Sequence, residues 1–235
     1  MKTGFIVFFI ILFLGSCASV TQQDIKNANY HYQMGISYLN DNNIQPAFVE
    51  LQKALALNPH NKDIHEAIGI IYLTNLEDYP KAVTHFKKAL DIDESFSEAA
   101  NNLGSAYSSM GKFDKAIESY KKAIANPQYK NAAMALYNLG MVYYRLSKFD
   151  EAMNAYKDAL KRYSDFYMPY YGLALCYNAQ GLYGEAAIAM THAIELDPIH
   201  KGDKKKAIED LKDKKIRAKG DQDKDISDFL EILQY

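Results

Sequence analysis

Residues 97–160 read SEAANNLGSAYSSMGKFDKAIESYKKAIANPQYKNAAMALYNLGMVYYRLSKFDEAMNAYKDAL, and the second half restates the first. Gly104, Tyr107, Gly111, Phe113, Ala116, Tyr120 and Ala123 return as Gly140, Tyr143, Ser147, Phe149, Ala152, Tyr156 and Ala159, each 36 positions later. Self-similarity at such a period marks a chain built from one repeated supersecondary unit. Leu103, Gly104 and Tyr107 share one face of a first helix, and Ala116, Tyr120 and Ala123 share one face of a second. The region of Gly111 supplies the turn. Small residues at Gly104, Ala116 and Ala123 let the two helices approach, and aromatic rings fill the space that remains. Each copy is therefore an antiparallel helix pair.

The same register extends in both directions. Gly35, Tyr38, Ala47, Leu51, Ala54 and Pro59 define a first copy over residues 28–61. Gly69, Tyr72, Tyr79, Ala82, Phe86 and Ala89 define a second over 62–96, with one extra residue in its turn, which a loop absorbs at little cost. The third and fourth copies occupy 97–132 and 133–166, and a fifth, with Ala174 at the glycine position, occupies 167–200. The expected fold is all-α, with about five stacked helix pairs.

A stack of repeats exposes its last face, which needs a cap. Residues 201–235 supply it: residues 204–219 carry Ala207, Ile208 and Leu211 along one stripe with charge elsewhere, and residues 226–233 could add a short helix, packed or frayed. The basic run within 201–219 is interleaved with Asp203, Glu209, Asp210 and Asp213. It reads as the solvated face of a cap helix, with contact to anionic lipid as the alternative.

The N-terminus reads as an address. Lys2 precedes ten apolar residues from Phe5 to Leu14, too few to span a bilayer but enough for a signal-peptide core. Residues 1–16 are thus expected to be a cleaved leader. Leu14-Gly15-Ser16-Cys17 resembles the bacterial lipobox, which implies that Cys17 is acylated and becomes the first mature residue. Ala18 in place of aspartate implies outer-membrane sorting with the chain facing the periplasm, and residues 17–27 read as a polar, unpatterned, lipidated tether. An ordinary secretory signal cleaved near Ala18 would instead leave Cys17 unused.

Composition narrows the function classes. A net charge of -2 in 235 residues gives no basic excess for nucleic acid. Two cysteines, Cys17 and Cys176, cannot form a disulfide framework, and Cys176 reads as a small packed hydrophobe. The six histidines form no i,i+4 pair or HExxH pattern, and no P-loop, GxSxG or GxGxxG motif is present. No enzymatic activity, cofactor, metal or small-molecule substrate is expected.

The repeat length and its recurring positions resemble the tetratricopeptide repeat, whose period is about 34 residues. The resemblance implies a right-handed superhelix in which positions 2, 5, 9, 12 and 13 of each copy face a concave groove. The apolar groove positions are then Tyr32, Ile36 and Leu39 in copy one, Ile70 and Leu73 in copy two, and Met134, Tyr137, Met141 and Tyr144 in copy four. Arg145 is the groove's cation, and Met168, Tyr171 and Leu175 complete copy five. Copy three, with Glu98, Asn101, Ser105, Ser108 and Ser109, makes a polar middle. Met is adaptable and Tyr is a rigid amphipathic contact, so this set suits an apolar protein segment. The same side chains could also pack between neighbouring repeats.

A narrower resemblance rests on the junction Asn126-Pro127-Gln128-Tyr129, the following AAMALYNLG, and Asn101-Asn102-Leu103-Gly104. These are similar to the type IV pilus biogenesis lipoproteins of the PilF/PilW/Tgl kind. That resemblance implies a pilotin, an outer-membrane lipoprotein that binds pilus secretin subunits and promotes their localisation or multimerisation. The competing reading is a tetratricopeptide scaffold for another envelope complex, such as one of peptidoglycan enzymes.

Overall fold

A computed structural model describes residues 20–235. The expected leader (1–16) and the expected acylation site Cys17 therefore lie outside the described residues. Among those described, every regular element is helical, and ten helices form five antiparallel pairs: α1 (Gln22–Asn40) with α2 (Ile44–Leu57), α3 (Lys62–Thr74) with α4 (Tyr79–Ile92), α5 (Ser97–Ser109) with α6 (Phe113–Ile124), α7 (Ala132–Arg145) with α8 (Phe149–Arg162), and α9 (Tyr167–Ala179) with α10 (Tyr183–Leu196). Two more helices follow, α11 (Lys204–Lys215) and α12 (Asp221–Ile232). Successive pairs stack on one another, so the odd-numbered helices of the five pairs form one wall of the array.

One crossing recurs in each pair. The small residue of the first helix meets a large residue sixteen or seventeen positions later: Gly35 with Leu51, Gly69 with Phe86, Gly104 with Tyr120, Gly140 with Tyr156. A Cβ at Gly140 would lie 2.5 Å from the Tyr156 ring, closer than real Cβ contacts, so only glycine permits this approach. Tyr156 is also pressed from its other side by Gly172 of α9, and it is fully buried. Copy five has Ala174 instead, and the residue at the facing position is the slender Met190.

The turns between paired helices also repeat. Each places one residue in the left-handed region: Asn42, Glu77, Gly111, Ser147 and Gly181, with φ of 57°, 51°, 68°, 57° and 74°. Glu77 sits there because the extra residue in copy two shifts the register by one. A glutamate in this region is strained by roughly 1 kcal/mol, less the entropy that glycine would lose on folding. Glu77→Gly should therefore raise stability by about 0.5 kcal/mol in urea unfolding, and a decrease would show that the Glu77 side chain makes a compensating contact.

Between copies three and four the two extra residues are accommodated by a buried Tyr129 and by Asn126, whose Nδ2 donates to Ser97 Oγ at 3.0 Å. The core runs along the array as three successive clusters with no break between domains.

One expectation about the ends needs correction. Residues 22–27 are helical: α1 begins at Gln22, where Thr21 and Asp24 form a capping box that satisfies the first free N–H groups. Any tether is correspondingly shorter than residues 17–27. At the other end the expected cap forms, and its last helix is packed rather than frayed. Ile226, Ile232 and Leu233 of the α12 region are buried against α9 and α10, and α11 adds Ala207, so both helices together close the stack. Lys215 stays exposed, outside the packed stripe.

Candidate functional site

The wall formed by α1, α3, α5, α7 and α9 carries the expected groove residues, and the structure divides them into two halves with different fates. In the C-terminal half, α12 crosses over the groove. Arg145 forms a fork of hydrogen bonds to both carboxylate oxygens of Asp225, with Nη1 donating to Oδ1 at 2.9 Å, and Asp221 approaches Arg145 Nε at 3.7 Å. Phe229 meets Tyr171 edge-on at 5.5 Å between ring centroids. Tyr144 is 7% exposed and Leu175 4% exposed. Burial pushes the phenols of Tyr137 and Tyr144 up to about 12.

Between this half of the groove and α11–α12 lies a cavity of about 350 Å³, lined by Tyr137, Met141, Met168, Tyr171 and Leu175 on the repeat side and by Leu211, Ile226 and Phe229 on the other. Its three acids are all paired: Asp225 with Arg145, Asp210 with Lys214, and Asp197 with His200. The Tyr171 hydroxyl donates to Asp197 at 3.1 Å. The richest apolar stretch of the expected groove is thus covered by the chain's own C-terminus, and Arg145 is occupied by Asp225. Breaking that pair should loosen the cover. Asp225→Ala leaves a half-buried guanidinium without its partner, at a cost of about 2 kcal/mol for a pair that keeps some exposure. Faster amide exchange across residues 221–232 is the expected readout, and exchange unchanged from wild type would show that apolar contacts alone hold α12.

The N-terminal half is open. Tyr32, Ile36 and Leu39 pack partly against the first core cluster, Ile70 and Leu73 pack partly against the second, and none of them is fully buried. Each is therefore both a packing residue and a surface one. Met134, at the junction, is exposed. Asp63, Glu66 and Glu98 sit among these apolar groups. Asn138 donates to Asn101 (3.2 Å), Asn101 to Asn102 (3.3 Å) and Asn102 to Glu66 Oε1 (2.9 Å), a chain that spans three repeats along the groove. Burial, reinforced by the charges of Asp63 and Glu98, raises the Glu66 carboxyl to about 7. Glu66, with Asp63 a groove position of copy two, and Asn101 are reached by the positional reading, whereas Asn102 and Asn138 fall outside the groove positions and were missed. The recurrence of Asn102 as Asn138, in phase with the repeat, was the available signal.

Comparison with known proteins follows this geometry. Residues 63–128 and 97–165 match one tetratricopeptide-repeat profile, and residues 137–198 match a second. The chain belongs to the tetratricopeptide-repeat family. Its fold is a scaffold for protein–protein interaction. Among curated relatives, the chain is 30% identical over 100 residues to the type IV pilus assembly protein PilF of Pseudomonas aeruginosa, an alignment covering 42% of this chain and 39% of that protein. The match thus spans about two-fifths of the relative's length. Among solved structures, PilW, a type IV pilus biogenesis factor, superposes with a TM-score of 0.71 at 21% identity, covering 88% of this chain and 92% of its own. A MamA protein superposes at 0.62 with 26% identity, over 73% of this chain and 92% of that one.

Among the described residues no helix is long and apolar enough to cross a membrane, and no three potential metal ligands cluster.

Proposed function

We propose that this chain is a lipid-anchored assembly factor of a type IV pilus, a pilotin that holds secretin subunits at the outer membrane and promotes their multimerisation. The observation that carries this reading is the sequence relationship to PilF across the repeats, at 30% identity over 100 residues. The likeness to the PilW fold over 88% of the chain supports it. The lipobox at Cys17 adds the means: acyl chains would hold the groove beside the membrane and raise the local concentration of any bound subunit there.

Deleting the gene should abolish heat-resistant secretin multimers on gels of unheated envelopes, and normal multimers in the mutant would overturn the pilotin reading. Co-purification of peptidoglycan synthases or hydrolases in place of secretin would select the scaffold alternative. Cys17→Ser should shift the protein out of the outer-membrane fraction. Fractionation identical to wild type would remove the anchor from the proposal.

A further inference from the structure

Within that reading, in which the groove binds a protein segment, the structure indicates which half is used and what it recognises. We infer that the open N-terminal half of the groove takes a partner segment with apolar side chains next to a lysine or arginine, whose cation enters between Asp63, Glu66 and Glu98. Three observations converge on this. The C-terminal half is already covered by α12, and its cation is consumed by Asp225. The open half offers apolar footing from Tyr32, Ile36, Leu39, Ile70 and Leu73, all partly exposed. Among the described residues, none of Asp63, Glu66 and Glu98 is held in a salt bridge. Asp63 and Glu66 lie one turn apart on α3, and Glu98 occupies on α5 the place Asp63 holds on α3. The neighbouring cation Lys62 is near enough to feel the charges of Asp63 and Glu98, but its ion pair is made with Asp93, with Nζ 2.5 Å from Oδ2, and it lies over the Phe96 ring.

The electrostatics of Glu66 fit the same conclusion. Its carboxyl is held up by desolvation and by two like charges, with only the Asn102 amide favouring ionisation. A carboxylate in that position gains most from an incoming cation, because docking would supply the charge that the fold withholds. Asn102 and the amides behind it fix the orientation of Oε1, and among the described residues no hydrogen bond reaches Oε2. An acidic partner segment would meet three carboxylates at once, so the groove selects against it.

The test uses random dodecapeptides displayed on phage and panned on the full chain. Enriched sequences should carry Lys or Arg beside apolar residues. As synthetic peptides they should bind at least about tenfold more weakly to the Glu66→Gln/Glu98→Gln double variant and should weaken with added salt. Both changes preserve shape and relieve like-charge repulsion, so the variant is expected to fold; its melting temperature, compared with wild type, checks this. Asp114→Asn/Glu118→Gln, the same change of two charges on exposed positions of α6, should leave binding unaltered. Enriched peptides without a cation, equal binding by the double variant, or no enrichment would each overturn the inference. Salt-sensitive self-association lost in the double variant would also overturn it, since the occupant would then be the basic α11 of a second copy. Panning does not involve secretin, so failure of the pilotin reading would show separately, in the multimer gels.

Discussion

Tyr156→Ala is expected to lower the unfolding free energy by about 3–5 kcal/mol, while Tyr156→Phe should raise it by about 1 kcal/mol. The ring is gripped between Gly140 of its own repeat and Gly172 of the next, with backbone so close on both sides that a Cβ at either glycine would fall 2.5 Å or less from ring atoms. Truncation would leave a slot that two glycines cannot fill, because collapse would require two helices to move together. The cost should therefore lie at the upper end for an aromatic deletion. The hydroxyl is a separate matter. It is buried without a hydrogen-bond partner, and burial holds its acidity far below that of an ordinary tyrosine. Phenylalanine keeps the ring and removes the unsatisfied oxygen. Urea titrations of the two variants would settle both signs, and a destabilised Tyr156→Phe would mean that the hydroxyl is hydrogen-bonded to solvent after all.

The same residue shows what a sequence can reveal. The pairing of Gly140 with Tyr156 is local, separated by little more than one turn and one helix, and it recurs at Gly104 with Tyr120 and Gly69 with Phe86. Anything set by such short, repeated spacings was legible: the helix pairs, their stacking order and the turn positions. The fate of the groove was not. Arg145 meets Asp225 across 80 positions of sequence, and nothing in the composition of α12 says that its acidic N-terminal half will reach α7. Ile226 and Phe229 mark an apolar stripe, yet the surface that stripe covers depends on where a connecting segment with a left-handed Gly220 sends it. At the N-terminus the reading of residues 17–27 as unpatterned missed the capping box of Thr21 and Asp24, a local signal for a helix start.

Acid should weaken the second repeat through a pair of histidines. His65 Nε2 donates to the Pro59 carbonyl at 3.0 Å, so its Nδ1 carries no proton and accepts from His85 Nδ1, 3.1 Å away. Both rings are neutral in this arrangement. Protonating His65 would set two N–H groups face to face, and protonating His85 would place a cation in a half-buried site beside His65 and Lys88, under the Tyr72 ring. Desolvation is the larger cause for both, and it depresses His65 and takes His85 down to about 4. The unfolded chain therefore binds protons first as pH falls. Stability from this pair is fully present above about 6.5 and is lost as pH drops toward 4. Allowing for solvent screening of a ring that is not fully enclosed, the loss is on the order of 1–2 kcal/mol.

Glu66 acts in the opposite direction. Its folded value near 7 exceeds the ordinary carboxyl value, so its contribution is largest in acid and declines as pH rises from about 4.5 to 7. The two effects overlap and partly cancel in the wild type, so the histidine effect is best measured in a Glu66→Gln background. There, urea midpoints should fall between pH 7 and pH 4.5. His85→Gln should flatten that fall, since a glutamine amide can still donate to His65 Nδ1 without titrating. A slope unchanged by His85→Gln would place the acid sensitivity elsewhere. In the wild type, adding a cationic peptide that lowers the Glu66 carboxyl would remove the opposing term and steepen the decline in acid.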